Sequence, residues 1–360
     1  MSFGRRRVLP KHKNENCYTT NRESFTHRNT TMSSTTTILS PQMLNDANTL
    51  LRHIAQQINR VIIGRRDAVD MAVITVAAGG HLLLEDVPGT GKTMLARSMA
   101  RTLGCSFKRI QLTPDLLPAD VTGNSIYNPR EHTFEFRPGP IAAQIVLADE
   151  LNRATPRTQS ALLEAMEEHQ VTVDGITYAL PEPFMVIATQ NPIEYEGTFT
   201  LPEAQLDRFA MRITIGYPNL NDETTVLRNQ RSHHPIDDIQ PITDASGILA
   251  IQHVVPLIYI DPAIDTYVVQ LGQATRQHDD IELGASTRAL LMLIRTAQAR
   301  ALLAGRDYVL PDDIKALAVP VLSHRLLLSG NARMRNQTTS QVIHDLVNSI
   351  SLPSGRTSRN

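Results

Sequence analysis

Cysteine is nearly absent from this chain: Cys17 and Cys105 are the only two in 360 residues. That is too few for a disulfide framework or a thiolate zinc site. The histidines, including the adjacent His233 and His234, do not fall at metal-ligand spacing and read as surface residues. Long apolar runs are missing too. Met71 to Leu84 comes nearest, but Thr75, Gly79, Gly80 and His81 interrupt it, and nothing approaches the roughly 18 apolar residues of a membrane span. Arg5, Arg6 and Arg7 are followed by polar side chains, not by the apolar stretch of a secretory signal. Net charge is only −1, which gives no global pull toward nucleic acid. There is no internal repeat. The expectation is a soluble, cytoplasmic protein.

What is present supports a real interior, since 41% of residues are apolar and the length suits two domains. Residues 1–40 are rich in Ser, Thr, Asn and Arg, with seven Lys/Arg against two Asp/Glu before Met32. Such a segment buries too little to offset its ordering entropy and is expected to be a disordered basic tail, with Met32 an alternative start. A helical stripe of apolar residues runs from Met43 to Val61, and a second helix is expected over 67–78. Short apolar runs at 81–85, 106–112, 145–148, 184–189 and 211–215 alternate with helical patterns. This predicts an α/β fold with a parallel, doubly wound five-stranded sheet and helices on both faces. Two hairpins interrupt it, one around Asn128–Pro129 and one around Asp174–Gly175, a pair that favours a type I′ turn. Composition changes near Tyr217–Pro218, so the core is expected over 41–218. Only helices are expected over 219–350 (222–231, 262–277, 287–303 and 311–322), followed by a polar tail at 351–360.

The strongest pattern is Leu82 to Arg97, LLLEDVPGTGKTMLAR. A Pro/Gly-rich loop between a buried strand and a helix start aims backbone N–H groups and the positive end of the helix dipole at one point, which makes a phosphate site. Val87, Pro88, Gly89, Thr90 and Gly91 form the expected cradle. Lys92 would reach the outer phosphates, the Thr93 hydroxyl would ligate Mg²⁺, and Met94 follows in the first helical turn. Asp86 stands where G-x-x-x-x-G-K-[ST] has its first glycine. A carboxylate such as Asp149, closing an apolar strand, can hold the Mg²⁺ shell, and Glu150 after it can polarise the attacking water. Asn191, after the fourth strand, is placed to orient that water. Arg208 precedes the fifth strand. Arg288 stands at a helix start, where the dipole disfavours a cation unless an anion is close. Ile63–Gly64, an apolar segment ending in glycine, could hold an adenine ring.

Together these residues resemble the MoxR family of AAA+ ATPases. The resemblance is carried by Leu84-Glu-Asp-Val-Pro-Gly-Thr-Gly-Lys-Thr93, Phe136-Arg-Pro-Gly-Pro-Ile141, Leu147-Ala-Asp-Glu-Leu-Asn-Arg-Ala154, Gln159-Ser-Ala-Leu-Leu-Glu-Ala-Met-Glu-Glu168, Ala188-Thr-Gln-Asn-Pro192 and Leu201-Pro-Glu-Ala-Gln-Leu-Asp-Arg-Phe209. It covers roughly residues 45–325, in family order. It implies an AAA+ core plus an all-helical lid, ATP and Mg²⁺ as cofactors, and ATP hydrolysis in a homo-oligomeric, hexameric ring. Lys92 and Thr93 would belong to Walker A, Asp149 and Glu150 to Walker B, Asn191 to sensor 1 and Arg288 to sensor 2. Arg208 resembles the arginine finger that serves a neighbouring subunit's ATP, and Ile63 and Gly64 match the adenine-side segment. The hairpins resemble the helix-2 insert and pre-sensor-1 hairpin. Departures are Ser286–Thr287 in place of a more usual Ser-Pro, and Arg65 where Gln is common. Members of this family act as chaperone-like ATPases that mature or activate an unidentified client, often with a von Willebrand factor A domain partner. The alternatives are a DNA-acting ring motor, against which the near-neutral charge argues, and a magnesium-chelatase-like ATPase subunit.

Overall fold

The computed structural model describes residues 39–192, 197–229, 231 and 233–351. The tail expected over 1–40 lies almost wholly outside them, as does that at 351–360. α1 (Pro41–Asn59) starts where Ser40 accepts the Met43 N–H at 3.1 Å and a proline fills the first turn. α2 (Arg66–Ala77) follows, then β1 (Leu82–Glu85), α3 (Lys92–Thr102), β2 (Phe107–Gln111) and α4 (Pro118–Thr122). β3 (Gly123–Asn128) and β4 (Thr133–Pro138) form the first hairpin, before β5 (Ile145–Asp149) and α5 (Pro156–Glu168). The second hairpin is β6 (Gln170–Val173) and β7 (Ile176–Ala179), with Asp174 and Gly175 both left-handed at φ +52° and +78° as its turn chemistry demands. β8 (Met185–Gln190), α6 (Glu203–Leu206) and β9 (Met211–Ile213) complete this part.

Five strands form one parallel sheet in the order β2-β5-β8-β1-β9. β1 therefore lies between β8 and β9, the last two of the five to form along the chain. Side chains alternate between two apolar layers. Leu82, Leu84, Leu147 and Ile187 enter one, with α1, α2 and α3, while Leu83, Val146, Ala148 and Val186 enter the other, with α4 and α5. Strands buried on both faces read as continuous apolar runs, which is why the sequence pattern found them. The loops after β1, β5 and β8 all leave from the same edge, where open parallel sheets bind their ligands.

Beyond β9 come α7 (Leu220–Asn229), α8 (Ala245–Val254), α9 (Pro262–Gln277), β10 (Ile281–Leu283), α10 (Thr287–Leu303), α11 (Pro311–Leu322), β11 (Leu327–Leu328), α12 (Gly330–Met334) and α13 (Thr339–Ser349). This region is helical as expected, but α8, α12 and α13 lie outside the four expected helices, and an antiparallel ribbon, β10–β11, is added. Strands of three and two residues are too short to leave a period-two signature. Residues of α8, α10 and α11 share the apolar layer of α1 and α2. No helix among the described residues is long and apolar enough to cross a membrane.

Two buried polar residues brace the sheet. β1 runs into Asp86, whose carboxylate accepts the N–H groups of Val87 (2.8 Å), Ile215 (2.9 Å) and Gly216 (2.6 Å). The departure from the general loop motif is thus a tie between the loop and the chain leaving β9. His81 precedes β1, with Nε2 donating to the Met166 carbonyl and Nδ1 accepting from the Val186 N–H, each at 3.0 Å. Burial pushes its pKa down from 6.5 to about 4.

Two outcomes are expected. Asp86→Ala leaves buried N–H groups without an acceptor, at about 1–3 kcal/mol each, so chemical denaturation should show a loss of roughly 2–4 kcal/mol; a loss under about 0.5 kcal/mol contradicts the tie. For His81, the unfolded chain binds its proton near pH 6.5 and the folded chain only near pH 4. Stability is therefore full above that range and falls on acidification, by at most about 1.4 kcal/mol per pH unit. Urea midpoints measured between pH 7.5 and pH 5 should decline less steeply in His81→Gln than in the unaltered chain, and equal slopes exclude this source.

Candidate active site

α3 opens at Lys92, after a loop in which Gly89 and Gly91 sit at φ +86° and +90°. A Cβ added to either would meet no atom within 4 Å. The glycines are thus required by backbone angle, and they leave the loop open to a close-approaching group. The first turn of α3 carries no acidic residue, so its dipole and N–H groups are available to an anion. Lys92 Nζ folds over the loop, donating to the carbonyls of Asp86 (2.6 Å) and Val87 (2.8 Å). Thr90, buried, braces the same turn by donating to the Val87 carbonyl at 3.2 Å.

A depression of about 350 Å³ brings Pro88, Gly89, Gly91, Lys92, Thr93 and Met94 together with Asp149, Glu150 and Asn191. These come from the ends of three neighbouring strands, as the sequence pattern predicts. One Asp149 oxygen accepts the Thr189 hydroxyl at 2.6 Å, and the other accepts Arg109 Nε (3.0 Å) and Nη2 (2.6 Å). Glu150 is left-handed at φ +59°, a strained angle that marks functional turns. Its N–H donates to Thr189 Oγ1 at 2.8 Å, and its Oε2 accepts Gln111 (2.8 Å) and Arg153 (3.2 Å). Thr189 therefore ties the Asp149 carboxylate and the Glu150 backbone to β8.

The hydroxyl and carboxylate of Thr93 and Asp149 form an all-oxygen set suited to a hard divalent cation. Arg109 reaches Asp149 and Gln111 with a side chain that is half exposed. Among the described residues no group of three or more His, Cys, Asp or Glu could hold a metal ion, so a cation here would complete its shell with phosphate oxygens and water. The residues fit a magnesium–nucleotide complex.

Ile63 and Gly64 do not line this depression. They line a separate groove of about 800 Å³ beside α1, α2 and the end of α10. A Cβ on Gly64 would come 2.1 Å from the Asp222 carboxylate, and Arg65 packs on Gly216, whose N–H Asp86 accepts. The segment thus lies one contact removed from the phosphate loop. Arg208 and Arg288 are also outside the depression. Both reach Glu167 of α5, through Arg208 Nε at 3.0 Å to one oxygen and Arg288 Nη1 at 2.6 Å to the other. The anion that Arg288 needed at its helix start is this glutamate.

Sequence reading assigned no role to Arg109, Gln111, Thr189 and Glu167. Gln111 is found once β2 is known to pair with β5, which sets it opposite Asp149. Nothing local marks Arg109, while Thr189 and Glu167 stand inside runs that carry the family resemblance.

Comparison with known proteins agrees with this geometry. The family profile described as ATPase family associated with various cellular activities (AAA) matches residues 81–211, and that of the AAA lid domain matches 273–346. The chain is 49% identical over 308 residues to the uncharacterized protein YeaC of Bacillus subtilis, covering 86% of this chain and 96% of that protein. It is 38% identical over 317 residues to Chaperone MoxR1 of Mycobacterium tuberculosis, covering 86% and 83%. A solved structure from Cytophaga hutchinsonii, assigned as an ATPase, superposes with a TM-score of 0.80 at 37% identity, covering 87% of this chain and 98% of that one. With its phosphate loop, its acidic strand end and its lid in the same succession, this chain belongs to the MoxR family of AAA+ ATPases.

Proposed function

We propose that this ATPase works as a ring, a hexamer, in which each nucleotide is gripped by one copy and attended by arginines of the next. The carrying observation is that Arg208 and Arg288 meet each other at Glu167 and not at the depression of their own chain. Lys92, the loop N–H groups and the start of α3 would hold the phosphates. Thr93 and Asp149 would hold Mg²⁺, which when bound neutralises phosphate charge. Ile63 and Gly64 would bound the adenine side.

Glu150 would take the proton of the attacking water and Asn191 would orient it, while Gln111 and Arg153 fix the Glu150 carboxylate. Positioning and charge stabilisation supply most of the rate in such transfers, and a supplied arginine contributes roughly 10³–10⁵-fold. The output is chaperone-like remodelling, by which a client is matured or activated with a von Willebrand factor A domain partner, in the cytoplasm. The resemblance to a relative named as a chaperone supports this, as do the apolar side chains Ile126, Tyr127 and Phe134 that the first hairpin exposes.

Glu150→Gln should bind ATP and lose roughly 10²–10⁴-fold in turnover, read as retained nucleotide in a filter-binding assay beside a steady-state phosphate assay. Normal turnover rules out its role as base. Arg208→Ala should likewise retain ATP affinity and lose roughly 10³-fold or more in hydrolysis, and full activity excludes the finger.

A further inference from the structure

Arg325, just past α11, has a side chain only 2% exposed, and every one of its N–H donors finds an oxygen. Nε donates to the Asp207 carboxylate at 2.7 Å. Nη2 donates to the carbonyls of Asp207 (3.2 Å) and Phe209 (2.5 Å), and Nη1 to those of Ala210 (3.2 Å) and Val321. His324 adds a bond from Nε2 to the Phe209 carbonyl at 3.0 Å. The segment 207–210 is thus gripped from the lid side by a buried guanidinium and an imidazole.

The free oxygen of Asp207 accepts the Ser286 hydroxyl at 3.1 Å, and that hydroxyl caps α10 by accepting the Ala289 N–H, also at 3.1 Å. One carboxylate therefore joins three elements: the turn before β9, the end of α11 and the start of α10. Arg208 is the next residue after Asp207, and Arg288 lies two residues after Ser286. At their far ends both arginines close on Glu167.

A buried ion pair is a poor source of stability compared with apolar packing. What it supplies is direction, because a planar guanidinium fixes several acceptors at once. Two guanidiniums sharing one carboxylate leave one positive charge within the trio, and Glu164 and Glu168 line the same surface beside Arg208. We propose that Asp207, held by Arg325 and Ser286, is a positioning residue that sets Arg208 and Arg288 as one two-guanidinium unit for the phosphates of the adjoining copy's nucleotide. This rests on the shared-site reading above. Its consequence is that the lid and the arginine-bearing turn move as one body.

The test uses the full chain in four variants: Asp207→Asn, Ser286→Ala, Lys92→Ala and Arg208→Ala. Asp207→Asn should keep nucleotide affinity and KM within about twofold while kcat falls roughly 10²-fold, the scale of a small misplacement of a catalytic group. Ser286→Ala, which leaves the Asp207–Arg325 pair in place, should show the same split at about threefold, and it carries the test if Asp207→Asn does not fold. Either variant mixed with Lys92→Ala, whose arginines are intact but whose phosphate grip is lost, should recover turnover well above the sum of the two alone. A general folding defect would not be rescued this way. Arg208→Ala mixed with Lys92→Ala is the reference pair. If the reference pair recovers and the Asp207→Asn or Ser286→Ala mixture does not, the positioning role is overturned and the shared site stands. Unchanged kcat in both variants overturns it equally. If the reference pair fails to recover, the shared site falls and takes this role with it.

Discussion

Carboxylates buried or half-buried at the junctions between elements hold this molecule in its working shape. A charge out of water is costly unless its acceptors are all engaged, and each of these is. Asp86 takes three backbone N–H groups and fastens the phosphate loop to the chain leaving β9. Asp149 is held by Thr189 and Arg109, and Asp207 by Arg325 and Ser286. Asp313 takes Arg300, Arg306 and the N–H of Leu310, closing α10 against the start of α11. The apolar layers supply cohesion, but these ties decide where the loop, the acidic strand end and the two arginines stand.

Their placement divides the chemistry between two faces. The loop, Asp149, Glu150 and Asn191 converge because three parallel strands end at one edge. Arg208 and Arg288 converge elsewhere, on a helix that packs beneath the opposite apolar layer. On the proposed shared-site reading, each copy carries one half of a site and the complement of another half. A ring is the closed assembly that satisfies such a head-to-tail interface. On that proposed reading, subunits are coupled because the lid that carries Arg288 is tied to the turn that carries Arg208.

Much of this was legible in the residues. The phosphate loop is a contiguous local pattern, and a strand buried on both faces announces itself as an apolar run ending in Asp149–Glu150. The Asp174–Gly175 turn follows from backbone sterics alone. His233, read as a surface residue, pairs with the exposed Asp238 at 2.8 Å. What was hidden depends on distance along the chain. The reason for Asp86 lies 129 residues away at Ile215, and the partner of Arg325 lies 118 residues before it. Glu167 stands beside another glutamate on an amphipathic helix, and no local rule says which of the two collects the arginines. The adenine-side segment is the instructive middle case. Gly64 was read as the end of an apolar segment that could hold an adenine ring; it is left-handed at φ +75° and hemmed in by Asp222, and its groove is separate from the phosphate depression.

The division of the site between copies is tested most directly by the specific rate of ATP hydrolysis measured across a wide range of protein concentration, with assembly followed in parallel by sedimentation. Rate per chain should climb steeply as rings form and level off once assembly is complete. A rate per chain that stays constant down to concentrations at which the protein sediments as a monomer would mean that each chain holds a whole site.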